Sequence, residues 1–275
     1  ALPIWTGPAG VSGPASGKPV SDLHLRHWPG NAARPALALH CMMGNASYWG
    51  PIARDLHERI SLAAPDLPGH GQSPDWDGGP PDYHTAVTRA VAGLITRPLD
   101  LIGHSLGATV ALRIAVAAPD AVRSLTLIEP VLFAAAPDLA SNRQLDEVDS
   151  LLAAGQDTAA ARIFLGAWGG IDWQAQTETG KARLVRQIRL VQSSNAALRA
   201  DSAHILRDGG LEAIDAPVLI VMGGASPAVI PAIADALAAR LPDVGRANVP
   251  GAGHMLPITH PHQVAELIGV NLDRS

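Results

Sequence analysis

The segment Leu99-Asp100-Leu101-Ile102-Gly103-His104-Ser105-Leu106-Gly107-Ala108 decides the fold. An apolar run ends at Ile102, a Gly-x-Ser-x-Gly bend follows from Gly103 to Gly107, and an alanine-rich helical run begins after Ser105. A strand that turns this abruptly into a helix brings its two arms too close for ordinary side chains, which is why glycine stands on both sides of the serine. The serine oxygen then sits at the C-terminal end of the strand, over the start of a helix. Backbone N–H groups and the helix dipole there favour developing negative charge. A plain glycine-rich loop with an incidental serine would satisfy the letters. The strand–turn–helix setting is what an exposed nucleophile requires.

The same rhythm repeats outward from this bend. Short apolar runs at Ala36–Leu39, Ile60–Ala64, Leu125–Ile128 and Val218–Met222 have the form of buried parallel strands, and Arg246–Val249 is the last strand candidate. Ser21–Trp28 alternates more and reads as an edge strand. Helical spacing fills Ala46–Leu56, His84–Ile95, Leu106–Ala117, Pro231–Leu241 and His262–Leu272, and Pro119 stops the third of these. Such alternation predicts an α/β class domain with a mostly parallel, doubly wound sheet. From Phe133 to Leu211 the rhythm fails. Leu145, Val148, Leu151 and Leu152, then Leu184, Ile188 and Val191, recur at helical spacing with no strand between them, and Gly155 and Gly169-Gly170 look like breaks. A helical insertion between two strands is expected. The first twenty residues, rich in Gly and Pro, read as coil.

Composition narrows the function classes. Of 275 residues 47% are apolar, too many for a disordered chain. Lys plus Arg number 20 and Asp plus Glu 25, a net charge of −5 with no basic run, so no nucleic-acid partner and no anionic membrane partner is expected. No apolar stretch is long enough to cross a bilayer. The single cysteine, Cys41, cannot form an internal disulfide. Ala1-Leu2-Pro3-Ile4-Trp5 lacks the charged-then-apolar pattern of a signal peptide, and a cytoplasmic protein is expected. No His/Cys spacing suggests a metal, and no cofactor is implied.

Three more segments, together with the serine bend, make the chain resemble the α/β-hydrolase fold family over nearly everything after about residue 20. The first, Ala38-Leu39-His40-Cys41-Met42-Met43-Gly44-Asn45, resembles the family's His-Gly oxyanion loop, with Cys41 in place of the usual glycine. The resemblance implies the backbone N–H groups of Met42 and Leu106 as the oxyanion hole, with Met43 lining the substrate pocket. The second, Pro65-Asp66-Leu67-Pro68-Gly69-His70-Gly71-Gln72-Ser73, resembles a structural loop of the family, so Asp66 and His70 are expected to support the site. The third, Val249-Pro250-Gly251-Ala252-Gly253-His254-Met255-Leu256-Pro257, resembles the loop that carries the catalytic histidine. A serine hydroxyl needs an imidazole to take its proton, and His254 is the candidate. His104, inside the bend, is expected to point away.

The family's usual acid is an aspartate after the strand at Val218–Met222, but Ser226 stands at that place. A hydroxyl cannot supply the charge that steadies an imidazolium. Glu129, at the end of the Leu125–Ile128 strand, occupies an alternative acid position, and the resemblance assigns it that role. The bland alternative is an ion pair at the entrance to the insertion. The resemblance further implies a core of residues 1–132 and 212–275 and a helical cap of residues 133–211. Phe133, Phe164 and Trp168 of the cap are expected at the substrate pocket. The activity implied is hydrolysis of a small or medium uncharged carboxylic ester or lactone through an acyl-enzyme, with a small molecule as partner. A carbon–carbon bond hydrolase, a perhydrolase and a non-catalytic binding protein are the alternatives on the same scaffold. The oligomeric state is left open.

Overall fold

Apolar runs without helical spacing become the sheet of the computed structural model, which describes residues 22–137, 139–169 and 172–275. Among these residues seven strands pair into one sheet: β1 (Leu25–Trp28), β2 (Pro35–Leu39), β3 (Ser61–Pro65), β4 (Leu99–His104), β5 (Val122–Ile128), β6 (Val218–Gly223) and β7 (Val244–Val249). Their order is β1-β3-β2-β4-β5-β6-β7. β1 runs antiparallel to β3, and every other pairing is parallel. The expected edge strand at Ser21–Trp28 is therefore present, beginning at Leu25. The coil expected over the first twenty residues lies outside the described residues.

Alternating side chains of one strand enter two separate cores, because successive residues face opposite sides of a sheet. Leu37, Leu39, Leu101, Leu125, Leu127 and Ile220 pack on one face. Ala36, Ala38, Ile102, Ile128, Leu219 and Val221 pack on the other. The helices divide accordingly. α1 (Gly50–Asp55), α8 (Leu256–Thr259) and α9 (Pro261–Leu272) cover the second face, and α2 (Tyr83–Ala92), α3 (Leu106–Ala117) and α7 (Val229–Ala238) cover the first. With helices on both faces the sheet is doubly wound. The single helix expected at Ala46–Leu56 is instead a 3-10 turn, Ala46–Trp49, followed by α1. Pro51 has no N–H to continue an α-helical ladder through this point.

Between β5 and β6 lie a 3-10 turn (Phe133–Ala135) and three helices, α4 (Leu139–Ala153), α5 (Asp157–Trp168) and α6 (Glu178–Ala200). β5 and β6 nevertheless pair directly, Leu125 with Val218 through Ile128 with Val221. α6 begins where the Thr177 hydroxyl accepts from the N–H of Gly180, and its last turn ends at Asp201 in the left-handed region (φ 47°). The Asp201 carboxylate then accepts from the N–H groups of Ile205 and Leu206, which fixes the exit of the chain. No described helix is long and apolar enough to cross a membrane.

Candidate active site

Ser105 sits between β4 and α3 with φ 57° and ψ −116°, a conformation that costs a non-glycine residue energy and is held by its surroundings. Its own N–H donates to the carbonyl of Ile128 on β5. A Cβ on Gly103 would lie 2.3 Å from the carbonyl oxygen of Gly107, and one on Gly107 would lie 2.4 Å from that of Leu39. Both glycines are therefore required by close backbone approach, as the sequence suggests. The hydroxyl Oγ of Ser105 stands 2.9 Å from Nε2 of His254. The other ring nitrogen of His254, Nδ1, is 2.9 Å from Oε2 of Glu129. Three residues widely spaced in sequence thus form one hydrogen-bonded line at the C-terminal edge of the sheet.

Glu129 is fully buried, and its backbone is left-handed (φ 52°) where the chain leaves β5. Its N–H still donates to Val221 of β6, so the turn keeps the end of the sheet intact. Oε1 accepts from the N–H of Gly223 at 2.6 Å and from the hydroxyl of Ser226 at 2.9 Å. Ser226, which stands where the resemblance places the usual aspartate, thus donates to the carboxylate that faces His254. A buried carboxylate with each oxygen hydrogen-bonded avoids most of the cost of losing water. A carboxylate so placed fixes Nδ1–H on His254 and leaves Nε2 to accept the Ser105 proton.

His254 is held from behind as well. Nε2–H of His104 donates to the His254 carbonyl at 2.8 Å, which leaves Nδ1 of His104 to accept from the Tyr48 hydroxyl at 3.0 Å. The Tyr48 oxygen in turn accepts from the N–H of Cys41. Burial holds His104 well below the usual imidazole value, so it remains neutral and keeps this direction of donation. His104 therefore points away from Ser105, as expected, and links the histidine loop to the segment His40–Gly44.

That segment is braced by two further neutral imidazoles. His40 accepts from the N–H of Leu67 and donates to the Cys41 carbonyl; burial lowers it to about 4. His70 accepts from the N–H of Met43 and donates to the Pro68 carbonyl; burial lowers it to about 3. Asp66 accepts from the N–H groups of Ala46 and Gln72, and these outweigh burial to hold its carboxyl below the ordinary range. Asp66 and His70 are supports, as anticipated. The positive φ of the segment falls at Met43 (61°) and not at Cys41, so a cysteine fits where the resemblance implies glycine. Burial pushes the Cys41 thiol up to about 12, which keeps it protonated and inert.

A cavity of about 40 Å³ opens on Ser105 and His254. Met42 and Leu106 line it together with Phe133, Phe164 and Trp168. Leu106 opens α3, so its N–H has no carbonyl four residues back within the helix to bond. Met43, expected at the pocket, does not line it: its left-handed backbone turns the side chain into the core on the α2–α3 face of the sheet. Trp168 stands edge-on to His254 with ring centroids 5.0 Å apart, and Phe133 packs edge-on against Trp168 at 5.8 Å. Sequence reading missed the α6 contribution of Val191, Ser194, Asn195 and Leu198. Their spacing, three, four and seven residues on from the first, marks one helical face, but two small polar residues in it read as solvent-facing. No group of three or more His, Cys, Asp or Glu among the described residues is arranged to hold a metal ion.

Comparison with known proteins follows the same lines. A sequence model described as the alpha/beta hydrolase family matches residues 36–267. The pimeloyl-[acyl-carrier protein] methyl ester esterase of Methylococcus capsulatus is 30% identical over 232 residues, covering 80% of this chain and 87% of that protein. Lipase LipV of Mycobacterium tuberculosis is 36% identical over 162 residues, a match that spans 56% of this chain and only 58% of the lipase. Among solved structures, the enol-lactonase from Burkholderia xenovorans LB400 superposes with a TM-score of 0.70 at 20% identity, covering 91% of this chain and 96% of that one.

Proposed function

Since this chain belongs to the alpha/beta hydrolase family, we propose that it is a serine hydrolase of carboxylic esters whose nucleophile, base and acid are Ser105, His254 and Glu129. The observation that carries the reading is the unbroken line from Ser105 Oγ through both nitrogens of His254 to Glu129 Oε2, each link 2.9 Å. An esterase, a lipase and a lactonase all cleave an acyl–oxygen bond, and the relatives' names point the same way.

In this reading Ser105 Oγ attacks the ester carbonyl carbon while its proton passes to Nε2 of His254. The carbonyl oxygen becomes an anion facing the N–H groups of Met42 and Leu106, donors that act where charge develops. The tetrahedral intermediate collapses, His254 returns the proton to the departing alcohol, and an acyl-enzyme remains. Water then gives a proton to His254 and attacks the acyl carbon; the bond to Ser105 Oγ breaks, His254 returns the proton to Oγ, and the acid leaves. Glu129 stays ionised throughout and stabilises the imidazolium.

Residues 133–211 act as a cap over this centre. The cavity of about 40 Å³ has room for roughly three water molecules. Closure of such a cap over a bound substrate excludes bulk water. The lining carries no charged side chain apart from His254 when protonated, which suits a small or medium uncharged acyl group. A single buried thiol fits a reducing, cytoplasmic setting.

The test is hydrolysis of p-nitrophenyl butyrate together with stoichiometric labelling by an alkyl fluorophosphonate. The wild type should turn over the ester and take one label per chain, and Ser105→Ala should lose both. Turnover that persists in Ser105→Ala at the wild-type rate would sink the assignment.

A further inference from the structure

The cavity beside Ser105 is apolar except at one place outside the three reacting residues, the inner face of α6. Ser194 is fully buried there, and its hydroxyl proton is committed to the carbonyl of Leu190. Asn195 directs Nδ2 at both carboxylate oxygens of Asp149, at 3.1 and 2.9 Å. A carboxylate only accepts, so the orientation of this amide is fixed; both Asp149 oxygens lie on one side of Nδ2 and share one of its hydrogens, so Oδ1 and the second N–H are left to meet a substrate. Asp149 is itself anchored, 3.6 Å from Arg199. The remaining donor on the lining, Nε1 of Trp168, is committed to Gln144. Away from the reacting residues the wall thus offers one polar side chain, the Asn195 amide with its Oδ1 and one N–H, and no cation.

Such a wall discriminates by chemistry. A carboxylate or phosphate on the substrate would lose its water with no cation there to replace it. A purely alkyl chain would strip water from Asn195 Oδ1 and give nothing back. A neutral O–H or N–H satisfies it. We propose that Asn195 is a specificity-determining residue, and that the preferred substrates are esters carrying a neutral hydroxyl or amide N–H several atoms from the scissile carbonyl. This rests on the serine-hydrolase reading above and deepens it. The donor group can belong to the acyl part or to the alcohol part of the ester.

Two matched pairs, followed by acid release in a pH-stat, separate these sources: methyl 6-hydroxyhexanoate against methyl hexanoate, and ethylene glycol monohexanoate against ethyl hexanoate. At least one hydroxylated partner should show kcat/KM about tenfold above its alkyl match in the wild type, the scale of one net hydrogen bond. The pair that shows the preference tells which part of the ester α6 reads. In Asn195→Leu, which keeps the size and apolar surroundings, the ratio should fall to about one while the alkyl ester is still hydrolysed. The wild-type ratios need no variant and decide the matter even if Asn195→Leu fails to fold. Ratios of about one for both pairs in an active wild type would overturn this inference alone, as would a preference left intact in folded Asn195→Leu. Inactivity on all four esters would overturn the serine-hydrolase reading instead.

Discussion

In the proposed mechanism Glu129 and Ser226 divide between them a task that one aspartate could have performed. The carboxylate comes from the end of β5, and the hydroxyl at the end of β6 donates to it. Glu129→Gln keeps the shape but removes the charge opposite the imidazole, and it is expected to lower kcat by about 10³- to 10⁴-fold with KM little changed. Steady-state kinetics on p-nitrophenyl butyrate check this, and a kcat within threefold of wild type would remove Glu129 from the mechanism. Ser226→Ala takes one donor from a fully buried carboxylate and should cost roughly 2 kcal/mol of stability in urea unfolding, with Ser226→Thr restoring most of it. Glu129 was legible in the sequence because an acidic residue closes an apolar strand. The Ser226 contact was not, since nothing local ties residue 226 to residue 129; only the pairing of β5 with β6 does. Cys41 reads as a departure from the family, and only the backbone shows why it is harmless. Met43 resembles its neighbour Met42 in type, and only the structure separates the core residue from the lining one.

Elements were legible where one pattern dominated. β2, β4, β5 and β6 are runs of fully or mostly buried residues, and α3 is found at the expected Leu106–Ala117. β7 is half-exposed, and only its last residues are visible as a strand in the sequence. α6 shows its core positions Leu184, Ile188 and Val191, but its cavity face contains Ser194 and Asn195, which no hydrophobic pattern reveals. The β4–α3 bend is where an element tolerates least. Gly103→Ala would set a methyl group against the backbone of Gly107 and Ala108, with nothing flexible to yield. The expected result is a loss of more than about 4 kcal/mol, seen as insoluble or unfolded protein by circular dichroism. A Gly103→Ala variant with the melting temperature of the wild type would show that the arms can part.

At the scale of the whole molecule, four histidines are buried as neutral rings: His40 (about 4), His70 and His84 (each about 3) and His104 (far below the usual value), in every case lowered first by burial. In the unfolded chain each would take up a proton near pH 6.5. Below that pH the unfolded state binds more protons than the folded one, so acid favours unfolding. Their contribution to stability should be complete above pH 6.5 and decline as the pH falls towards about 4. Urea midpoints measured from pH 8 to pH 4.5 test this, and a flat profile would contradict it. Because three of the four brace the Ser105–His254 region, acid loosening should begin there, with labelling by the fluorophosphonate failing before global unfolding. The direct pairing of β5 with β6 has a further consequence. The chain leaves the sheet after Ile128 and rejoins it at Val218 with the two strands already side by side. Ser105, Glu129 and His254 stand at the edge of the sheet beside that seam, whereas most of the cavity wall belongs to the excursion. With the strands already paired, the excursion is free to vary in length and sequence without disturbing the ladder beneath it.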